Sequence, residues 1–175
     1  MNIGIPKEIL FGEKRVALVP EAVAKLSAEK IEVTVETGAG DSANYPDSQY
    51  KDVGANIALS SKDLLESADV VLKIHAPNVN QKLGALETDT LKDGAVLIAL
   101  LQPLNNKDLV RILVNKQITS FSMDTVPRIA RAQSMDALSS MSSLAGYKAA
   151  LLAANLLEKY FPMMMTAAGT YAPAK

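Results

Sequence analysis

Short apolar, β-rich runs alternate with helix-like stretches, and this pattern predicts an α/β domain: a mostly parallel, Rossmann-like or flavodoxin-like sheet flanked by helices. Two observations carry the prediction. Several strand candidates are apolar throughout, as strands of a sheet covered on both faces are. The stretches between them begin with helix-start residues and continue with apolar side chains at helical spacing.

In chain order, the strand candidates are Ile3–Ile5, Glu32–Glu36, Val70–Ile74, Ala95–Leu100 and Ile118–Ser122. Pro20 opens a helix that carries Val23 and Leu26, since proline fits the first helical turn. Ser61 is placed to cap a second helix over Leu64 and Leu65, and Asn106 a third over Leu109, Ile112 and Leu113. From Ser139 the pattern changes to a long helix reaching Phe161, with Leu144, Tyr147, Leu151, Ala154 and Leu157 on repeating turns. Pro162 is expected to stop or bend it. Lys148, Asn155, Glu158 and Lys159 interrupt this apolar run, and charges at bilayer depth cost about 2.5–3.5 kcal/mol each, so it reads as a core helix and not a membrane span. Met163–Met165 read as gap-filling core.

Composition narrows the function classes. The 175 residues suffice for a domain with its own core, and 49% hydrophobic with 21% charged residues is ordinary for a globular protein. A net charge of −1 gives no electrostatic case for nucleic acid. Without cysteine there is no disulfide scaffold, thiolate metal site or thiol nucleophile. The residues after Met1 read as a strand, not as a signal peptide, which points to the cytoplasm.

Four places invite a chemical reading. Gly38-Ala39-Gly40-Asp41-Ser42-Ala43 formally fits G-x-G-x-x-A, but Asn44-Tyr45-Pro46-Asp47 reads as loop where a dinucleotide fingerprint needs a helix N-terminus. The reading is therefore a glycine-permitted turn. Arg15, after the first strand, and Lys73, on the Val70–Ile74 strand, are two cations that a parallel sheet can bring to its carboxyl edge. They fit either surface salt bridges or the grip on a carboxylate. His75, the only histidine, has no ligand-type neighbours at metal spacing and reads as exposed or structurally hydrogen-bonded, so no metal site is expected. Arg128, Gln133, Asp136 and Ser139 place a cation, an amide, a carboxylate and a hydroxyl in one short segment after a strand. That set can orient a carboxamide by complementary donors and acceptors, and residue types alone also allow a loop of helix caps and exposed charge.

The segments Met1–Glu8, Met123–Ser140 and Phe161–Thr170 together resemble domain I of the proton-translocating nicotinamide nucleotide transhydrogenase alpha subunit, and more loosely alanine dehydrogenase. The resemblance spans essentially the whole chain. It implies an α/β domain over residues 1–138, a long connecting helix over 139–161, and a segment 162–175 leading into an NAD-binding Rossmann domain beyond the chain's end. It further implies that Arg128, Asp136 and Ser139 hold the nicotinamide of NAD(H), and that Gln133 reaches toward NADP(H) on the partner domain III. Arg128, Gln133 and Asp136 are then the residues of the hydride-transfer site. The implied partners are the membrane domain, the NADP-binding domain or beta subunit, and a second copy in a homodimer. The implied location is the cytoplasmic side of a bacterial inner-membrane complex. Two other readings stand beside this one. In an alanine dehydrogenase-like enzyme Arg15 and Lys73 would bind a 2-oxo acid, but the family's catalytic histidine falls at Gln102, and a glutamine cannot shuttle a proton. The other is a non-catalytic dimerisation or docking fragment.

Overall fold

The computed structural model describes residues 1–174, and the chain divides into two compact units, Met1–Pro127 and the segment from Arg128 onward. In the first unit β1 (Asn2–Ile5) is followed by α1 (Pro20–Ala28) and β2 (Glu32–Glu36). Then come α2 (Asp47–Asp52), β3 (Asn56–Ala58), α3 (Ser61–Ser67) and β4 (Val70–His75). A hairpin of β5 (Val79–Asn80) and β6 (Ala85–Leu86) leads through the short α4 (Glu87–Thr90) to β7 (Val96–Leu100), α5 (Lys107–Asn115) and β8 (Thr119–Ser122).

Six strands form one sheet in the order β3-β2-β1-β4-β7-β8, every neighbouring pair parallel. The expected parallel α/β sheet is therefore present, and its strand order is that of the doubly wound Rossmann type. From β1 the chain winds outward to β3 on one side, then restarts at β4 and winds outward to β8 on the other. The loops after β1 and β4 consequently leave the sheet on opposite sides of a crevice at the carboxyl edge, where such sheets bind ligands.

The sheet is buried by two apolar clusters. Ile3, Ile5, Val23, Val33, Val35 and Tyr50 form one; Leu64, Leu65, Val71, Leu97, Ala99 and Leu113 form the other. Tyr50 is fully buried and donates its hydroxyl to the Leu18 carbonyl (2.9 Å), and burial pushes the phenol up to about 12. Gly4 lets α3 lie close on β1, because a Cβ there would sit 2.8 Å from both Ala68 Cβ and Leu64 Cδ2.

Two caps differ from expectation. Ser60, not Ser61, is the N-cap of α3, accepting from the Lys62 and Asp63 amides, while the Ser61 hydroxyl turns inward and donates to Glu36 (2.6 Å). Asn106 holds the N-cap position of α5, but its side chain donates backward to the Leu101 carbonyl (2.8 Å) instead of capping forward. The elements β3, α2, α4 and the β5–β6 hairpin add to the expected set; all are too short to show a period in the sequence.

The second unit contains a 3₁₀ turn (Ala130–Met135), α6 (Ala137–Leu156) and a hairpin of β9 (Met164–Thr166) and β10 (Gly169–Tyr171). The long helix thus spans 137–156 and not 139–161. It starts earlier because Asp136 caps it, and at Leu157 the backbone turns extended, ahead of Pro162. The Tyr160 and Tyr171 rings meet edge to face at 5.9 Å, and the Ala174 amide donates to the Tyr160 carbonyl, which ties the segment after the helix to the hairpin. The expectation of a core helix also fails within this chain, since α6 has no buried residue. Met163, Met164 and Met165 are likewise exposed and not core. Among the described residues no helix is long and apolar enough to cross a membrane.

Candidate functional site

In the second unit, the structure brings Asp136 and Ser139 together at the head of α6. Asp136 Oδ1 accepts from the Ser139 amide (2.9 Å) and Oδ2 from the Ser139 hydroxyl (2.6 Å). These bonds, first the hydroxyl and then the amide, hold the Asp136 carboxyl below its ordinary value, and the Arg128 charge lowers it further. Arg128 is exposed immediately before the 3₁₀ turn, and Gln133 is exposed on the turn itself. Asp136 therefore does two things at once: it caps a helix, as its residue type allows, and it presents an ionised carboxylate beside a hydroxyl, within reach of the Arg128 charge. No group of acidic or histidine side chains arranged for a metal occurs among the described residues.

In the first unit, the crevice between the loops after β1 and β4 is lined by charge. Lys73 is not on the surface: it and Glu87 are each 1% exposed and paired at 3.0 Å, with Glu8 3.8 Å from the same ammonium. Glu8 also accepts from the Ile74 amide (2.6 Å), and Glu87 from the Asn78 amide (3.1 Å), so these carboxylates stitch the loops onto the end of β4. Arg15 lies beside the crevice with its fork on Glu13, Nε at 2.9 Å from Oε1 and Nη2 at 2.6 Å from Oε2. That contact draws Glu13 down to about 2 and raises Arg15 above its ordinary value. His75 Nε2 is 2.5 Å from Glu13 Oε2, so the lone histidine is hydrogen-bonded. The sequence pattern pointed to the cations but not to Glu8, Glu13 and Glu87, their partners. Glu13 carries a faint signal, two positions before Arg15; Glu87 carries none, because the β5–β6 hairpin brings it back toward Lys73.

Two clefts open at this edge. One of about 460 Å³ is lined by Lys7, Glu8, Phe11, Glu36, Asn80 and Lys82 among others. The second, about 320 Å³, lies between the ends of β4 and β7 and is lined by Leu10, His75, Asn78, Gln102, Asn106 and Leu109. Gln102 has a left-handed backbone (φ 47°), held by its amide donating to Asp124 (3.2 Å) and by its carbonyl accepting from the Asn105 and Asn106 amides. At the glycine turn, Gly38 has φ 69°, and its amide donates to Asp47 (2.8 Å), which also receives the Thr37 hydroxyl (2.7 Å). Burial pushes Asp47 up, but these bonds keep it below the ordinary value. The turn continues into a single 3₁₀ turn, Asp41–Ala43, so the amide that a phosphate would need is taken by the chain's own carboxylate.

A doubly wound parallel sheet with polar side chains gathered at the carboxyl edge defines an α/β domain of the Rossmann type. The chain belongs to the alanine dehydrogenase/PNT N-terminal domain family, whose model matches residues 4–145. It is 47% identical over all 175 residues to an NAD(P) transhydrogenase subunit alpha polypeptide of Rhodospirillum rubrum, covering 45% of that protein. To alanine dehydrogenase of Methanococcus maripaludis it is 32% identical over 159 residues, 91% of this chain and 40% of the relative. Among solved structures, transhydrogenase from Sinorhizobium meliloti superposes with a TM-score of 0.88 at 40% identity, covering 99% of this chain and 48% of the other. An L-alanine dehydrogenase superposes with a TM-score of 0.79 at 30% identity, covering 90% and 41%. The chain spans less than half the length of these relatives.

Proposed function

We propose that this chain is the first α/β domain of a proton-translocating NAD(P) transhydrogenase alpha subunit, and that its Arg128–Ser139 segment orients the nicotinamide of NAD(H) for hydride transfer to NADP(H). The observation that carries this is the cap of α6, where one carboxylate is held ionised by two bonds from Ser139 and lies within the field of Arg128. The nicotinamide supplies the hydride chemistry; the residues supply position. Asp136 accepts from the carboxamide NH₂, Arg128 donates to its carbonyl, and Ser139 fixes the Asp136 carboxylate in place. Gln133, exposed on the 3₁₀ turn, is free to meet the NADP-bearing partner. None of these groups exchanges a proton, so the site acts by holding two rings in register, where a displacement of ~1 Å costs ~10²-fold in rate. We place the domain on the cytoplasmic side of the membrane complex, as a homodimer beside the NADP-binding domain or beta subunit.

The alanine dehydrogenase reading is disfavoured by two features of the crevice. Gln102 stands where an acid–base group is needed, and the charges of Arg15 and Lys73 are already met by Glu13, Glu87 and Glu8. The test uses the protein extended through its nucleotide-binding domain. Arg128→Ala and Asp136→Asn should slow transfer to an NADP analogue while circular dichroism is unchanged. Gln133→Ala should leave NADH affinity nearly intact and collapse the rate. Unchanged transfer in all three would remove the assignment, and robust alanine-dependent NAD reduction would favour the other reading.

A further inference from the structure

The larger cleft of the carboxyl edge, about 460 Å³, is built from four segments of the first unit: the loop after β1, the end of β2, the start of α3 and the β5–β6 hairpin. Three of its polar residues are buried, Glu36 5%, Ser61 6% and Asn80 2% exposed. Glu36 is fixed by two donors. Its Oε1 accepts from the Ser61 hydroxyl (2.6 Å) and its Oε2 from the Lys7 amide (2.8 Å), which leaves a lone pair on each oxygen. Ile9, Phe11 and Val79 supply apolar surface to the same cleft.

Asn80 Oδ1 accepts from the amides of Lys82 and Leu83 (3.1 and 3.4 Å), which closes the turn of the hairpin and fixes which end of the side-chain amide is the oxygen. Nδ2 is then its remaining polar side-chain atom, and among the described residues no group of the chain accepts from it. A donor in a residue this buried is costly to leave unmet, and Asn80 lines the cleft, so an acceptor that enters the cleft is the partner it lacks. Two ammonium groups join it. Lys7 and Lys82 line the same cleft from the loop and from the hairpin, and neither forms an ion pair among the described residues. Lys7 Nζ rests at the glycine turn, where it and Asp41 Oδ2 stand 3.3 and 3.0 Å from the position that a Gly38 Cβ would take. Glu36 and Asp41 offset part of the positive charge, so the cleft is no general anion sink: its ligand must bring a hydroxyl donor together with an anionic group.

We propose that this cleft binds a phosphate monoester of a small hydroxylated molecule, with Lys7, Lys82 and Asn80 Nδ2 donating to the phosphoryl oxygens and a ligand hydroxyl donating to Glu36. Two ammonium groups match the charge of a phosphate monoester near neutral pH, and lysine meets phosphate as a point charge. A volume of about 460 Å³ exceeds what phosphate alone needs and suits a ligand with a sugar-sized body. The site lies within the first unit, uses no residue of the Arg128–Ser139 segment, and stands whether or not that segment orients nicotinamide.

The test is a ¹H–¹⁵N NMR titration of the full chain with ribose 5-phosphate, with inorganic phosphate and ribose as separate arms. The Asn80 side-chain NH₂ signal and the backbone amides of Lys7, Ser61 and Lys82 should shift with a dissociation constant of about 1 mM or below, ordinary for a ligand this small, while the Gln102 and Asn106 amides of the second cleft stay still. Inorganic phosphate should bind about tenfold more weakly, because it lacks the bond to Glu36, and ribose should not bind measurably. Lys82→Ala changes an exposed side chain, and Asn80→Asp keeps the oxygen that closes the turn but loses the Nδ2 donor. Each should weaken binding about tenfold or more with circular dichroism unchanged. An Asn80 signal unmoved by millimolar ribose 5-phosphate would overturn the proposal. Inorganic phosphate or ribose binding as tightly as the ester would do the same, as would an affinity unchanged in Lys82→Ala.

Discussion

Lys73→Met removes a cation paired with two buried carboxylates, and the structure lets the cost be worked out. Glu87 and Glu8 side chains are 1% and 4% exposed, so solvent cannot replace the lost ammonium. Breaking one side of such a buried pair costs about 3–5 kcal/mol, against under about 1 kcal/mol for an exposed one. Each carboxylate keeps a backbone donor, Asn78 to Glu87 and Ile74 to Glu8, which favours the lower end, about 3 kcal/mol. For a chain of this size that corresponds to a melting temperature lower by about 6–12 °C. Urea unfolding followed by far-ultraviolet circular dichroism should show the midpoint falling at an unchanged slope. Adding Glu87→Gln should recover part of the loss, because the two substitutions remove groups in direct contact and are not additive. A loss below about 1 kcal/mol would refute the reasoning, as it would mean that water reaches the trio.

Gly40→Ala should destabilise by at least about 1–3 kcal/mol, because the new Cβ would sit 2.4 Å from the Tyr45 carbonyl oxygen and 2.7 Å from the Tyr50 ring; a thermal midpoint within error of the parent would contradict the packing described. Glu13 contributes a pH-dependent increment. Its folded value is depressed from 4.5 to about 2, chiefly by Arg15, so its stabilisation is complete above 4.5 and disappears as pH falls toward about 2. The stability difference between the parent and Glu13→Gln should accordingly shrink over that interval in acid titrations of unfolding, and a constant difference would show that Arg15 does not hold Glu13 in solution.

What the sequence disclosed follows the physics of each signal. The apolar runs at β1, β4 and β7 were legible because a doubly covered parallel strand is apolar, and β2 and β8 were legible as short β-rich stretches, whereas Asn56–Ala58 is too short and too exposed to stand out. Ser60 and Ser61 are indistinguishable as caps until the chain decides which hydroxyl turns inward to Glu36. Periodicity placed α6 but not its end, since Leu157–Phe161 continues the apolar pattern while the backbone leaves the helix. In the Arg128–Ser139 segment the pairing of Asp136 with Ser139 follows from spacing, as a cap reaches three residues ahead. The burial of Lys73 could not be read, because its partners lie in segments that only the crossover connections bring together.

The position of β1 has a consequence for synthesis on the ribosome. Of the six strands of the sheet it is the first in chain order, yet it lies inside the sheet, paired on one side with β2 and on the other with β4. At about 5–20 residues per second, the roughly 65 residues separating it from β4 take about 3–13 s to appear. For that interval one edge of β1 has no native neighbour, and Glu8 and Glu13 have no β4 to grip. The carboxyl-edge crevice therefore assembles late although its first residues emerge earliest, and the emerging chain must keep an apolar strand from pairing wrongly while it waits.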